Sequence, residues 1–209
     1  MIEFPLWSSD ETLFCEKVRD CEEHRKIVNT FKAANENGDG VVDYLKGHAI
    51  ADTVRGESTT YLVFDKYRQL CGFFTLKTCL LLFYNRDENT REISKDSDGI
   101  EIKISESAIE LVNFARNADF VDYDDISNLI APIMMADFIV PIINEIRKYV
   151  GVQNIVIYAI DDRLVKYYQD TYGFGFLEKE ATDYVCENIK PYYDHGGQLM
   201  ILRLPDNEG

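Results

Sequence analysis

Val156-Ile-Tyr-Ala-Ile-Asp161-Asp-Arg-Leu164-Val-Lys-Tyr167-Tyr168, with Tyr172-Gly173-Phe174 just beyond, is the stretch that decides the fold. It begins inside a near-continuous apolar run, Val152–Ile160, and such a run marks a strand buried on both faces. Asp161–Tyr172 then reads as a helix, with Gly173 in the C-cap position that glycine fills without steric cost. A buried strand handed directly to a helix is one repeat of a layered α/β arrangement.

Working outward, Phe176–Glu178 and Gln198–Leu204 read as further strands. Upstream, Ile130–Val150 is a long apolar helix, with Pro132 tolerated near its start and Pro141 expected to kink or break it. Ser107–Arg116 reads as a strand, preceded by a polar excursion over 85–100. Thr59–Phe64 and Leu70–Leu82 are rich in β-branched and aromatic residues, and the short polar link Asp65–Gln69 suits a hairpin. Residues 10–34 carry a stripe of Leu13, Phe14, Val18, Cys21, Ile27, Val28 and Phe31 that predicts a helix, with Asp10 as its N-cap. A second helix is expected over Val42–Asp52, closed by Arg55-Gly56-Glu57. The order predicts an α/β (α+β) domain with a central mixed, twisted sheet of about six to seven strands flanked by helices. The N-terminal helices would occupy 10–55 and the core 57–204.

The 209 residues suffice for one sizeable core and are too few for two ordinary domains. No apolar run reaches the ~18–20 residues of a membrane helix. The nearest, Leu76–Tyr84 and Ile130–Val140, are interrupted by Lys77, Pro132 and Asp137. The first residues, Met1-Ile-Glu-Phe-Pro, lack the pattern of a secretory signal, so a cytoplasmic protein is expected, without a membrane partner. Five cysteines without a CxxC pair argue against a disulfide framework or a zinc site, and no metal is expected. The net charge of −15 would repel nucleic acid unless a basic patch overrides it, and the Lys and Arg are scattered. Cationic substrates such as polyamines or basic side chains would be attracted; alternatively the acidity only confers solubility.

The stretch quoted at the outset resembles the C-terminal half of the GNAT superfamily of N-acetyltransferases. There a strand leads into a helix carrying a pattern like N-x-x-A-x-x-F-Y, shortly before G-F. Leu164 falls at the alanine position, Tyr168 at the tyrosine, and Asp161 replaces the asparagine. Thr60-Tyr-Leu-Val-Phe-Asp65 with Cys71-Gly72-Phe-Phe-Thr-Leu76 is similar to that family's first hairpin. Val42–Ala49 followed by Glu57–Tyr61 is similar to the branch containing toxin–antitoxin acetyltransferases. The resemblance spans roughly residues 40–204.

It implies acetyl-CoA as co-substrate and a small-molecule or protein amine as acceptor. Acyl transfer from a thioester to an amine needs a polarised carbonyl, a base for the ammonium proton and an acid for the departing thiolate. Tyr168 would be the acid, and Phe114, Ala115, Arg116, Ser127, Asn128, Leu129, Ile130, Ala131, Asp161 and Leu164 would hold acetyl-CoA. Without the family pattern, Tyr168 reads as a packing residue beside Tyr167 and Tyr172. Glu110, the lone acid in the apolar run Ala108–Ala115, is the candidate base, since burial raises a carboxyl pKa. Its competing reading is an edge-of-sheet carboxylate facing water.

One family feature is degenerate. Where an R/Q-x-x-G-x-G/A turn should open the long helix, Ile126 stands for the Arg or Gln and Leu129 for the first glycine, and only Ala131 conforms. Leucine costs room at the backbone, and Asp122, Asp124 and Asp125 place negative charge before an anion-binding turn. Arg116 and Lys148 are candidate compensating cations. Asn35–Lys46 looks like a calcium loop but lacks the glutamate at its last position, so a helix–helix turn is expected. Lys190–Gly197, with Tyr193 and His195, reads as an exposed turn before the last strand. Three functions compete: an acetyltransferase of cationic amines, a toxin-like acetyltransferase of aminoacyl-tRNA, and a non-catalytic descendant.

Overall fold

The computed structural model describes residues 2–33, 38–87, 89–90, 92–123, 125–177, 179, 181–182 and 197–205. The chain forms two compact units, one of 1–77 with 111–150 and the other of 78–110 with 151–209.

The first unit opens with β1 (Leu6–Trp7) and β2 (Leu13–Lys17), followed by helices α1 (Glu22–Thr30), α2 (Asp39–Gly47) and α3 (Ala49–Arg55). Strand β3 (Thr59–Asp65) and the first part of β4 (Leu70–Tyr84) make the expected hairpin across the Asp65–Gln69 link. The last part of β5 (Lys103–Arg116) and the helical run 130–147 complete the unit. Its strand order is β1-β2-β3-β4-β5. Phe14, Val28, Phe31, Leu45, Leu62, Phe64 and Phe73 form the core on the side of the early helices. Phe31 and Phe73 meet edge to face at 5.0 Å, each fully buried and each contributing roughly 1.5–3 kcal/mol by leaving water.

The early chain differs from the sequence expectation. Leu13–Lys17 is a strand, paired antiparallel with β3 from Leu13↔Asp65 to Lys17↔Tyr61, rather than the first turns of a helix over 10–34. Leu13, Phe14, Cys15 and Glu16 are all buried, so no polar face was left for a periodicity to reveal. Asp10 caps no helix. Its carboxylate accepts from Ser8 Oγ at 2.7 Å, Thr12 Oγ1 at 2.7 Å and the Thr12 amide at 3.1 Å, closing the β1–β2 turn. Those bonds, Ser8 first, hold its carboxyl below the usual range. The helix expected over Val42–Asp52 is two helices that bend at His48, and Gly56 ends the second in the left-handed region at φ 74°.

The long helix is continuous but not regular. It runs as α4 (Ile130–Ile133), a π-helical turn (Met134–Ile139) and α5 (Val140–Arg147). Pro141 has no N–H to donate, and its ring would crowd the carbonyl four residues earlier, that of Asp137. The widened turn ahead of Pro141 relieves this, and the helix is not broken there.

The second unit holds the end of β4, the start of β5, β6 (Asn154–Ala159), α6 (Asp162–Tyr172), β7 (Gly175–Phe176) and β8 (Gln198–Arg203). Its strand order is β4-β5-β6-β8-β7, with β6 and β8 antiparallel from Asn154↔Arg203 to Ala159↔Gln198. Leu81, Phe83, Ala108, Val156, Leu199 and Ile201 form its core. Among the described residues eight strands, β4 and β5 belonging to both units, make a mixed α/β fold with one strand more than the upper expectation. Of the strand expected over Phe176–Glu178, Phe176 lies in β7, Leu177 lies outside it and Glu178 falls outside the described residues.

Candidate acetyl-donor site

In the first unit the degenerate turn has a defined geometry. The Asp122 carboxylate reaches forward to the start of the helix, accepting from the Ile126 amide at 2.9 Å and the Ser127 amide at 2.7 Å. Asp125, at φ 57°, lies in the left-handed region that lets the chain double back to make this contact. Asp124 lies outside the described residues. The Leu129 and Ile130 amides are both committed to the Ile126 carbonyl, at 2.8 and 3.1 Å. Arg116, from the end of β5, donates through Nη1 to the Ser127 carbonyl at 2.9 Å.

The substituted positions of the turn have separate fates. Ile126 is buried, so the place of the family's Arg or Gln is a core position here. Leu129 is 50% exposed and Ile130 fully buried, while Asn128 is exposed and Ala131 half-buried. Half of the Leu129 side chain thus meets solvent. Phe114 and Ala115 are half-buried at the end of β5, and Ala115 faces Gly72 of β4. A Cβ at Gly72 would meet the Ala115 carbonyl oxygen at 2.6 Å and Met134 Sδ at 3.1 Å. The glycine seen in the hairpin motif is therefore needed for a close backbone approach.

In the second unit the residues read from the quoted stretch form a second cluster. Asp161 is the N-cap of α6, its carboxylate accepting from the Leu164 amide at 2.8 Å. Gly173 ends the helix at φ 76°. Tyr168 lies one turn past Leu164 and is 4% exposed, its ring packed against Phe174 at 5.9 Å and Tyr172 at 6.4 Å. Tyr167 and Tyr172 share a hydroxyl–hydroxyl bond of 3.0 Å. Burial, then the neighbouring Tyr167, pushes the Tyr168 phenol well above its ordinary value, so it keeps its proton at neutral pH. Glu110, on β5, is 3% exposed, which removes the water-facing reading of that carboxylate.

Other sequence candidates fall away. Cys15 and Cys71 are buried and their thiols pushed far up by desolvation, consistent with small hydrophobes rather than nucleophiles. Among the described residues no group of three or more His, Cys, Asp or Glu could hold a metal ion. Asn35, Glu36 and Asn37 of the calcium-like loop, Tyr193 and His195 of the late turn, and Cys186 lie outside the described residues.

No protein-family model and no curated protein sequence matches the chain. Solved structures do. A tyrosine-to-phenylalanine mutant of KacT is 12% identical, with a TM-score of 0.60 over 92% of this chain and 95% of that one. AtaT complexed with acetyl-methionyl-tRNAfMet is 14% identical, with a TM-score of 0.57 over 91% and 94%. A mutant of the toxin AtaT bound to the C-terminus of the antitoxin AtaR and acetyl-CoA is 14% identical, with a TM-score of 0.52 over 91% and 92%. The chain has a GNAT-type fold.

Identities of this size speak for the fold alone. The GNAT-type fold takes in more of the chain than the motifs implied, since the likeness covers over nine-tenths of it and the motifs began only near residue 40. The contact that sequence reasoning missed is made by Asp122. Read as negative charge ahead of the turn, it is the group seated on the Ile126 and Ser127 amides. Its spacing of four and five residues from Ile126 and Ser127 exceeds the two or three that a capping side chain spans, so no local pattern signalled it.

Proposed function

We propose that this protein is an acetyl-CoA-dependent N-acetyltransferase that transfers an acetyl group to a primary amine of a cationic small molecule or protein. The observation that carries this reading is helix α6, where Asp161 fixes the start and a protonated phenol, Tyr168, is held one turn past Leu164. The Ile126 and Ser127 amides support it, because a carboxylate is already bound there and the same donors suit a phosphate oxygen.

In this reading Glu110 takes the proton of the ammonium form, so that the nitrogen lone pair can attack the thioester carbonyl. The carbon–nitrogen bond forms, the carbon–sulfur bond breaks, and the second proton of the attacking nitrogen passes through solvent to the departing thiolate, giving the free thiol. A thiol has pKa ~8.5 and an ordinary phenol ~10, and Tyr168 lies above the latter. Full proton transfer to sulfur is therefore uphill, and Tyr168 acts chiefly by donating a hydrogen bond as charge develops. The mutants solved for KacT and AtaT replace a tyrosine by phenylalanine, in keeping with a tyrosine of interest in this fold.

Titration calorimetry with acetyl-CoA tests the proposal. Binding at about tens of micromolar, with a thermal shift equivalent to ~1–3 kcal/mol at saturation, is expected. No shift at millimolar acetyl-CoA would leave a GNAT-type scaffold serving another purpose.

A second reading places the acceptor amine on an aminoacyl-tRNA, and the AtaT complex with acetyl-methionyl-tRNAfMet favours it. The net charge of −15 opposes it. A gel shift at ~0.15 M salt separates the two readings, because the first expects no retention of tRNA and the second expects micromolar, salt-sensitive binding.

A further inference from the structure

We infer that Asn113 is a further catalytic residue, whose side-chain N–H donates to the thioester carbonyl oxygen and stabilises the charge that oxygen gains. This rests on the acetyl-CoA reading, which gives Glu110 the ammonium proton and Tyr168 a hydrogen bond to the departing sulfur. The third need of the reaction, a polarised carbonyl, has no residue in that reading.

Asn113 lies on β5 and is 4% exposed, and its side-chain nitrogen is wholly buried without a hydrogen-bond partner among the described residues. Burying an amide N–H with nothing to accept it opposes folding, and folded proteins rarely keep one. The other buried polar residues of the first unit all make side-chain hydrogen bonds, from Ser8, Glu16 and His24 to Thr53, Ser58 and Asp65. The Thr60 and Thr75 hydroxyls bond to each other at 2.9 Å. Asn117, the same residue type four positions on, donates to the Leu70 carbonyl at 2.9 Å and accepts from the Lys32 amide at 3.1 Å. An apolar residue at 113 would spare the fold its unpaired donor. Local conflicts of this kind collect at functional sites, where a ligand supplies the missing partner.

The chemistry of the unpaired atom defines that partner. An amide nitrogen donates and does not accept, so it takes a carbonyl oxygen and offers nothing to the cationic amine. Glu110 stands three residues earlier on the same strand, roughly 10 Å along the backbone at ~3.3 Å per residue. By alternation the two side chains leave β5 on opposite faces. A thioester held against the strand would thus meet the base from one face and the amide from the other. As the amine nitrogen adds to the carbonyl carbon, the π pair moves onto oxygen and the bond from Asn113 strengthens. The pair returns as the carbon–sulfur bond breaks, and Asn113 keeps its proton throughout.

Difference infrared spectroscopy of acetyl-CoA, isotope-labelled at the thioester carbonyl and bound to the parent, Asn113→Val and Asn113→Ala, tests the inference. The bound carbonyl band is expected at lower frequency in the parent than in either variant, because a hydrogen bond to oxygen weakens the C=O bond. Calorimetry should show the preference for acetyl-CoA over coenzyme A falling ~3–10-fold in the variants, while coenzyme A binds all three alike. A parent band no lower than that of the variants overturns this inference alone, whatever the affinities. If Asn113→Val does not fold, Asn113→Ala gives the same two readings, and an unshifted band overturns the inference in the same way. Failure of all three proteins to bind acetyl-CoA at millimolar concentration overturns the donor reading as well.

Discussion

A Cβ placed on Gly72 would lie 2.6 Å from the carbonyl oxygen of Ala115. Met134 Sδ lies 3.1 Å from the same point, so the space is closed on two sides. A carbonyl held in a strand cannot retreat as the end of a flexible side chain can. Gly72→Ala is expected to destabilise the fold by about 1–3 kcal/mol. The measurement is urea unfolding, with a lower midpoint and an unchanged slope. A parental midpoint would show that the strands separate at little cost.

Tyr168→Phe should separate packing from chemistry. The ring contacts with Tyr172 and Phe174 survive the change, so thermal stability should move little. Donor binding should stay intact while turnover falls ~10-fold or more. Because the phenol is protonated well past neutrality, the parent's rate should show no alkaline decline due to Tyr168 below pH ~10. Equal turnover in parent and variant would return Tyr168 to a packing role.

Glu110→Gln tests the base. A neutral amide cannot take the ammonium proton, so the rate should drop ~10²-fold and its rise with pH should flatten. An unchanged pH–rate profile would assign that carboxylate to the core.

Buried phenols set an alkaline limit to stability. Tyr61 is pushed up to about 12 by burial, with the thiol of Cys15 adding to the shift. A folded pKa above the unfolded value of ~10 means that the contribution is fully present below pH ~10 and is lost as pH rises toward 12. Circular dichroism against pH should show unfolding in that window, and Tyr61→Phe should move its onset upward. An onset unaffected by the substitution would point to other groups.

Asp161→Ala should cost about 1 kcal/mol, the worth of an N-cap carboxylate that accepts one amide, and Asp161→Asn should cost much less. Thermal melting of the two variants gives the comparison. Equal losses would mean that the charge, rather than the cap, stabilises α6.

Helix α6 was legible because every signal agreed: an apolar strand before it, an aspartate at its head and Gly173 at its foot. The β3–β4 hairpin was legible from composition, but the close approach at Gly72 depends on Ala115, far along the chain on β5, and no local pattern contains it. Strand β2 was misread because both of its faces are covered, which erases the alternation that marks a half-buried strand. The site was only half legible for a different reason. Residue types at 122–131 gave the positions of a damaged motif, whereas the seating of Asp122 depends on Asp125 adopting a conformation that composition does not dictate.

Ile130, Met134, Phe138 and Ile142 are all buried, and they stand four residues apart. In a regular α-helix four residues advance about 400°, so three such steps would swing Ile142 roughly 120° from the side that Ile130 faces. The wider turn at Met134–Ile139 subtracts that drift, acting as a vernier between the two ends of one rod. The bearing of Ser127 and Asn128 about the helix axis is thus not their own to choose. It is dialled by a turn that begins several residues downstream, and shortening that turn by one residue would rotate the Ile126–Asn128 turn relative to strand β5 without touching a single atom of it.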